Sequence, residues 1–548
     1  MSSFDKFLNP AFCANNINLP CPNETSKANN ACGRCYLVVY CSRECQKEHW
    51  STHKEDCNNT LAKGTWKPDW HTEDRDPTFI ETDPSELNSN ADKISWWGGM
   101  PALDLLKLDG NESQDAPSKM RLLLTSSHDI RNMVETVTRL PDTYSGQCEI
   151  NIVLVLTAFH FPPEEATPIM IHLWYSALIP ASVLTALQTK LLPLIEEVCS
   201  EAALKRPKRF FRWAWKKNKS SLQLELLKDE WERLRYTLRF PGRFSASEAT
   251  RNRQDVVLAD KRVDALHRTL HAQPRYWRLS TMKFRRDGIL LPFGCSHREF
   301  DTPNPMLFSA SRSWPMPDSA DPRSSWNLQE VCTGAYTENY PAKNDLYGML
   351  FIHLRETFLR FCRQLTKRNI TIRLISVDSL SLPGYFKKLE HPGTYINAEK
   401  DVLGIDITLA LNIPLLKPKT QNPKAMILVL FVCDIEEMSI MDTLDKDIAR
   451  VAKYLPEPET TDYNDADQIR RRRSSSFVCN VSRLFDLYKK AQGFDKLTDK
   501  YGLKMRENNT IVAHWPMRPG KNAPQEVFDI LEGSGATGFE RYVEWEWA

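Results

Sequence analysis

Between Cys13 and Cys57 the chain carries seven of its fourteen cysteines together with one well-spaced histidine. In order the donors are Cys13, Cys21, Cys32, Cys35, Cys41, Cys45, His53 and Cys57. Structural zinc takes four sulfur or nitrogen ligands in a tetrahedron, so eight such donors are the complement of two zinc ions. The N-terminus, MSSFDKFLNP, lacks the basic-then-apolar layout of a secretory signal. An intracellular protein of the cytoplasm and/or nucleus is therefore expected. Thiols stay reduced there, and clustered cysteines hold metal rather than pair as disulfides.

The elements that must position these donors are short. Cys32-Gly-Arg-Cys35 reads as a tight knuckle whose glycine lets backbone N–H groups approach the thiolates. Cys41 and Cys45 have the spacing at which one helical turn presents both sulfurs to one ion. The polar run from Gln46 to Asp56 is rich in helix formers and delivers His53 and Cys57 on one face. So polar a segment cannot build a core, so zinc binding and folding are expected to be one event.

The order Cys-x2-Cys, Cys-x3-Cys, seven residues, His, three residues, Cys resembles a MYND-type zinc finger. The phrase from Tyr40 to Trp50, YCSRECQKEHW, is close to that family's wording. The resemblance implies interleaved ligands. Cys13, Cys21, Cys41 and Cys45 would hold one zinc, and Cys32, Cys35, His53 and Cys57 the other. His49 is not a ligand in the pattern. The chain departs from it in the first pair, where seven residues separate Cys13 from Cys21, and in the long stretch Pro22–Ala31. The resemblance also implies a partner protein bound through a short proline-containing peptide, with Gln46 and Trp50 as the peptide contacts. An exposed indole beside an amide suits such a low-entropy ligand.

At 548 residues, with 41% hydrophobic and 26% charged residues, the chain has room for a large core and more than one domain. Its net charge of +2 creates no global attraction to nucleic acid, which is an unlikely partner, and no apolar run reaches the ~18 residues of a spanning helix. Four regions are expected: the finger over 1–57, a polar linker over 58–95, an α/β domain over 96–200, and its continuation over 201–548.

Met120–Thr125 predicts a strand, and Ile130–Leu140 an amphipathic helix entered through Ser126-Ser127-His128-Asp129. The β-branched run Glu149–Thr157 predicts a buried strand. Together they give a βαβ outline, a Rossmann-like start to an α/β or α+β domain. Further on, Ser182–Ala203 predicts a helix interrupted at Pro193, and Asn344–Lys367 a long helix capped by Asn344 or Asp345. Ile370–Val377 and Met426–Cys433 predict strands.

Trp97 to about Leu187 resembles the domain of unknown function shared between a dynein-arm assembly factor and a group of fungal MYND-containing proteins. The phrases that carry this are Pro101-Ala-Leu-Asp-Leu-Leu, Leu122-Leu-Leu-Thr-Ser-Ser-His-Asp, and His172-Leu-Trp-Tyr-Ser-Ala-Leu-Ile-Pro. Later phrases, among them Gly288-Ile-Leu-Leu-Pro-Phe-Gly and Ala342-Lys-Asn-Asp-Leu-Tyr-Gly, continue the fungal group. Where that pattern has an acidic turn after the second strand, Asn151 here runs straight into Ile152. A methyltransferase-like cofactor site would need that carboxylate and a glycine-rich first turn, and the turn here is Thr-Ser-Ser-His-Asp.

No hydrolase, NTPase or zinc-protease motif occurs, and His128-Asp129 reads as helix-start chemistry rather than an acid–base pair. Lys205–Lys219 mixes eight basic residues with four aromatics and reads chiefly as a basic surface strand with its aromatics inward. Arg470–Arg473, followed by three serines, predicts an exposed loop within about 455–476, and Gly538–Trp547 an edge strand. The favoured reading is a zinc-dependent interaction module on a non-catalytic scaffold, with no catalytic residues assigned. The alternative is an enzyme with a methyltransferase-like site in the α/β region.

Overall fold

The computed structural model describes residues 4–16, 21, 29–81, 96–108, 122–124, 130–140, 152–204, 210–240, 244–308, 312–377, 379–387, 395–399, 404–432, 435–436, 438 and 448–548. Among the described residues a five-stranded and a three-stranded mixed sheet, a two-stranded ladder and many helices form the large region. In the first sheet the strands run in the order Leu503–Met505, Arg541–Trp547, Met426–Phe431, Tyr395–Glu399, Leu122–Leu124. Met426–Phe431 pairs antiparallel with Arg541–Trp547 and parallel with Tyr395–Glu399, which in turn pairs parallel with Leu122–Leu124.

The central strand shows why its sequence, MILVLF, has no polar alternation. Met426, Leu428 and Leu430 enter one apolar cluster, while Ile427, Val429 and Phe431 enter another on the opposite face. A strand covered on both sides must be apolar at every position.

The C-terminal strand corrects an expectation. Arg541–Trp547 is not at an edge, because it lies between Met426–Phe431 and Leu503–Met505. Its alternating polar residues are absorbed rather than solvated. The buried Glu544 accepts hydrogen bonds from the backbone of Thr510 and Ile511 at 2.8 and 2.6 Å and an ion pair from Arg506 at 3.1 Å. A period-two pattern reports two environments, and a buried ion pair can be one of them.

The run predicted as a second strand is also different: Ile152–His160 is a helix. Val153, Val155, Leu156, Ala158 and Phe159 are all buried, and the helix packs against Pro163–Tyr175 and Leu346–Lys367. A short apolar run surrounded on all sides has no periodicity to separate helix from strand. Tertiary packing then overrides β-propensity. The βαβ outline is lost with it. The first strand and helix exist, as Leu122–Leu124 and Arg131–Arg139, but Ser126–Asp129, with His128, lie outside the described residues.

The second sheet is the hairpin Phe210–Lys217 and Ser220–Leu227, joined in parallel by Thr371–Ile375. The described part of the basic run is an exposed strand whose Trp215 points into the core. Its Lys217 donates to the carbonyls of Ala158 and Phe161 at 2.8 and 2.9 Å, closing the end of the Ile152–His160 helix. Cations suit helix C-termini, where carbonyls lack partners. The Pro193 interruption is real but gentle. A five-residue π-turn, Leu187–Leu191, precedes the proline, so the helix continues as Leu192–Ala203.

Arg470–Arg473 also departs from expectation. It lies on a helix, Ala466–Ser475, capped by Asp465, and not in an exposed loop. Ser474, Ser475 and Ser476 are buried, with Ser474 donating to Glu532 at 2.7 Å. Charge density alone predicts solvation, but Arg470, Arg471 and Arg472 have carboxylate or carbonyl partners from outside the helix.

Where composition predicted a linker, residues 58–81 are packed onto the large region. Trp70 is buried, Arg75 forms a two-pronged pair with Asp264 at 2.7 and 3.0 Å, and His71 meets Asp465 at 2.7 Å. Residues 82–95 lie outside the described residues.

Candidate metal centre

The finger is built on one helix, Arg43–Cys57. Its N-cap Ser42 accepts from the Cys45 backbone N–H at 3.2 Å, fixing the first turn at Cys45. Before it, a two-residue ladder pairs Asn30 with Tyr40 and Ala31 with Val39, and Cys13 bridges to Val39 in parallel. The ladder folds the Cys32–Cys35 knuckle back over the helix. The helix faces both groups: Cys45 lies near its start, and His53 and Cys57 near its end, eight to twelve residues on. At ~1.5 Å rise per residue the two groups are ~12 Å or more apart along it.

The structure gathers the eight candidate residues into two groups of four. Cys13, Cys21, Cys41 and Cys45 form one, and Cys32, Cys35, His53 and Cys57 the other, with the donor atoms of each group within 4.8 Å of one another. In the first, the Sγ atoms of Cys21, Cys41 and Cys45 are 3.4 to 3.6 Å apart. In the second, Cys32 and Cys57 sulfurs are 3.7 Å apart, and His53 Nε2 lies 3.1 Å from Cys57 Sγ and 3.3 Å from Cys35 Sγ.

These distances fit zinc. Two thiolates each ~2.3 Å from a tetrahedral ion sit ~3.8 Å apart, close to what is seen, whereas a disulfide would bring sulfurs to ~2.05 Å. All seven finger cysteines are free. Burial, followed by the neighbouring His49, lowers the His53 pKa to about 4, so its imidazole is neutral, as a ligand must be. Burial pushes the Cys13 thiol up to about 12 and Cys57 up to about 11. Packed this tightly without a cation, these thiols would stay protonated; a divalent ion supplies the charge that makes them thiolates. The arrangement is compatible with two zinc ions.

His49 belongs to neither group. It is buried, its Nδ1 is 3.1 Å from the Tyr40 hydroxyl, and its ring stacks on His53 at 5.9 Å. It braces the second site. On the outer face of the same helix Gln46 is half-buried and Trp50 is 41% exposed, one turn apart.

The finger is docked, which sequence reasoning missed. Asn344, immediately before the long helix Leu346–Lys367, donates from its side chain to the Cys35 carbonyl at 2.7 Å and from its backbone to the Tyr36 carbonyl at 3.0 Å. The helix cap itself is Asp345, which accepts from the backbone of Gly348 at 2.9 Å and Phe293 at 2.7 Å. Beside them Gly294 lies so close to Ala14 that an added Cβ would stand 2.9 Å from the Ala14 Cβ. Phe7 and Phe12 add edge contacts to Phe300 and Tyr340. Asn344 reads in sequence as one of two capping candidates. Its bond to residue 35 is a long-range contact with no local signature.

The comparisons with known proteins agree with this geometry. A family model described as MYND finger matches residues 13–57. A second, described as a domain of unknown function (DUF4470), matches residues 96–179. The N-lysine methyltransferase SMYD2 of Mus musculus and that of Rattus norvegicus are each 47% identical to this chain over 38 residues, 7% of this chain and 9% of the relative. The chain thus aligns with less than a tenth of each relative's length, within the finger. No solved structure matches. Among the described residues, no helix is long and apolar enough to cross a membrane.

Proposed function

We propose that this protein is an intracellular adaptor. Its finger binds two zinc ions, through Cys13, Cys21, Cys41 and Cys45 and through Cys32, Cys35, His53 and Cys57. It recruits a partner protein by a proline-containing peptide laid against Gln46 and Trp50. The large region acts as a non-catalytic scaffold that holds the finger in a fixed orientation, and it belongs with the domain found in the dynein-arm assembly factor.

The observation that supports this best is the outer face of the finger helix. Two of its faces are committed to the donor groups, yet it leaves a large indole exposed at Trp50 with an amide one turn earlier. An exposed indole offers a flat apolar face with an N–H donor at its edge, and proline rings pack well against such faces. The likeness to a lysine methyltransferase lies in the finger, so it supports the zinc module and carries no methyl-transfer chemistry to the large region.

The test is a panel of proline-containing peptides, screened against the zinc-loaded protein and its Trp50→Ala variant. Trp50→Ala should keep both zincs and its melting temperature while losing at least tenfold in affinity for the peptides that bind. Equal affinity in the two proteins refutes the peptide surface and leaves the metal centre standing.

A further inference from the structure

A cavity of about 270 Å³ lies far from the finger's donor groups in sequence, where the Trp70 segment meets three parts of the large region. Its walls come from the helix Val263–His271, the helix Ala466–Ser475 and the chain around Glu532–Thr537. Five arginines line it, Arg268, Arg323, Arg470, Arg472 and Arg473, against two acidic side chains, Glu436 and Glu532. In a chain of net charge +2 this is a local concentration of positive charge.

Two of the five are occupied. Arg470 forms a two-pronged pair with Glu532 at 2.8 and 2.6 Å, and Arg472 lies over the Tyr463 ring at 3.5 Å and donates to its carbonyl. Among the described residues, Arg268 and Arg473 have no hydrogen-bond or ion-pair partner, and Arg323 has only a long ion pair with Asp321. Arg268 rests on the Phe79 ring at 4.3 Å. Arg323 is 3% exposed, and its Nε and Nη1 are buried with no hydrogen-bond partner. Its nearest carboxylate, Asp321, is 3.6 Å from Nε and spends both oxygens on the Tyr347 hydroxyl at 3.0 and 2.8 Å.

Buried guanidinium donors without acceptors, as at Arg323, are expensive, and the half-buried Arg268 and the exposed Arg473 bring like charge to the same cavity. Burial and the neighbouring Arg473 and Arg262 lower the Arg268 pKa to about 9, the physical signature of that crowding. An anion entering the cavity removes both penalties. Guanidinium forks match phosphate oxygens two at a time. The cavity also has an apolar side, formed by Trp70, Phe477 and Phe539, against which a flat or aliphatic group could rest. Its volume is at the lower edge of the ~300–1,000 Å³ typical of small-molecule sites.

We propose that this cavity binds a small phosphate-bearing molecule, whose phosphate is held by the guanidiniums of Arg268, Arg323 and Arg473. Arg470 and Glu532 form the rigid floor, and the Trp70 segment closes one wall. The site is independent of the zinc finger and of any peptide bound there.

The experiment uses the full-length, zinc-loaded protein. Inorganic phosphate, pyrophosphate and ATP are titrated at fixed ionic strength against a sodium chloride control, reading thermal shift and calorimetric binding. A saturable rise in melting temperature with at least one of them is expected, beyond the chloride control. Response to phosphate alone assigns a free phosphate. Stronger response to pyrophosphate or ATP assigns a phosphorylated metabolite. The Arg268→Gln/Arg473→Gln protein should bind at least tenfold more weakly while keeping its unliganded melting temperature, since neither side chain holds a carboxylate. If the double variant misfolds, Arg473→Gln alone, on an exposed residue, carries the same comparison. Arg212→Gln on the exposed hairpin should leave affinity unchanged. No saturable response to any probe, or equal affinity in the variant, overturns the proposal. So does binding of a phosphorylated peptide through these arginines when all three small probes fail.

Discussion

Replacing Cys57 by serine removes one donor from the second metal group and tests whether the two groups are separate sites. Cys57 Sγ stands 3.7 Å from Cys32 Sγ and 3.1 Å from His53 Nε2, and every member of the group is buried. Three donors would remain in a buried pocket. Structural zinc binds to four such donors with ~10–16 kcal/mol of apparent free energy at neutral pH. An even share per donor is ~2.5–4 kcal/mol, which at ~1.4 kcal/mol per decade is about two to three powers of ten in affinity. The assay is zinc content after dialysis against a competing chelator, followed by titration with a chromophoric one. Wild type should retain two zincs per chain and Cys57→Ser one. Cys41→Ser should also retain one, having lost the other ion. Loss of both ions on the single change Cys57→Ser, or retention of both at unchanged affinity, refutes the reading of two interleaved but separate sites.

Two predictions concern the scaffold. Phe431→Ala, at a fully buried ring packed against Phe485 and Tyr488 at 5.8 Å, should cost about 3–5 kcal/mol, read as a fall in the urea midpoint of the large region. An unchanged midpoint would mean that the central strand is not the core it is drawn to be. Burial, then the neighbouring His297, holds the His172 imidazole down to a pKa of about 3, with Nδ1 3.1 Å from Ser176 Oγ. Its unfolded value is ~6.5, so the neutral ring contributes fully above pH ~6.5, and that contribution is lost as pH falls toward 3, at about 1.4 kcal/mol per unit. His172→Gln should make stability less pH-dependent across that window by about one proton, and an unchanged slope would contradict it.

The metal centre was legible because its information is local. Zinc imposes fixed donor types, and a helix returns to the same face every three to four residues, so Cys41, Cys45, His53 and Cys57 announce themselves by spacing. The grouping was available through the family resemblance, and the same two quartets converge in space. The long helix with a cap at Asn344 or Asp345 and the amphipathic Arg131–Arg139 helix were legible for the same reason, since capping and periodicity act within a few residues.

Other features follow from what a segment meets. Ile152–His160 is a helix buried between helices and the Phe210–Leu227 hairpin, and its apolar residues alone would satisfy either form. Arg470–Arg473 became a packed helix because Glu532 arrives from sixty residues away, a partner no local pattern announces. The strand Arg541–Trp547 moved inward for the same reason, once Arg506 and the Thr510 backbone covered Glu544. By itself, then, the sequence determined the donors of a two-zinc finger, because coordination chemistry and helix geometry act over short distances. Only the tertiary structure decided that Asn344 fastens this finger to the body, that residues 58–81 are part of that body, and that Arg268, Arg323 and Arg473 converge on one cavity. Those outcomes depend on hydrogen bonds and charges between residues hundreds of positions apart, whose partners are chosen by packing.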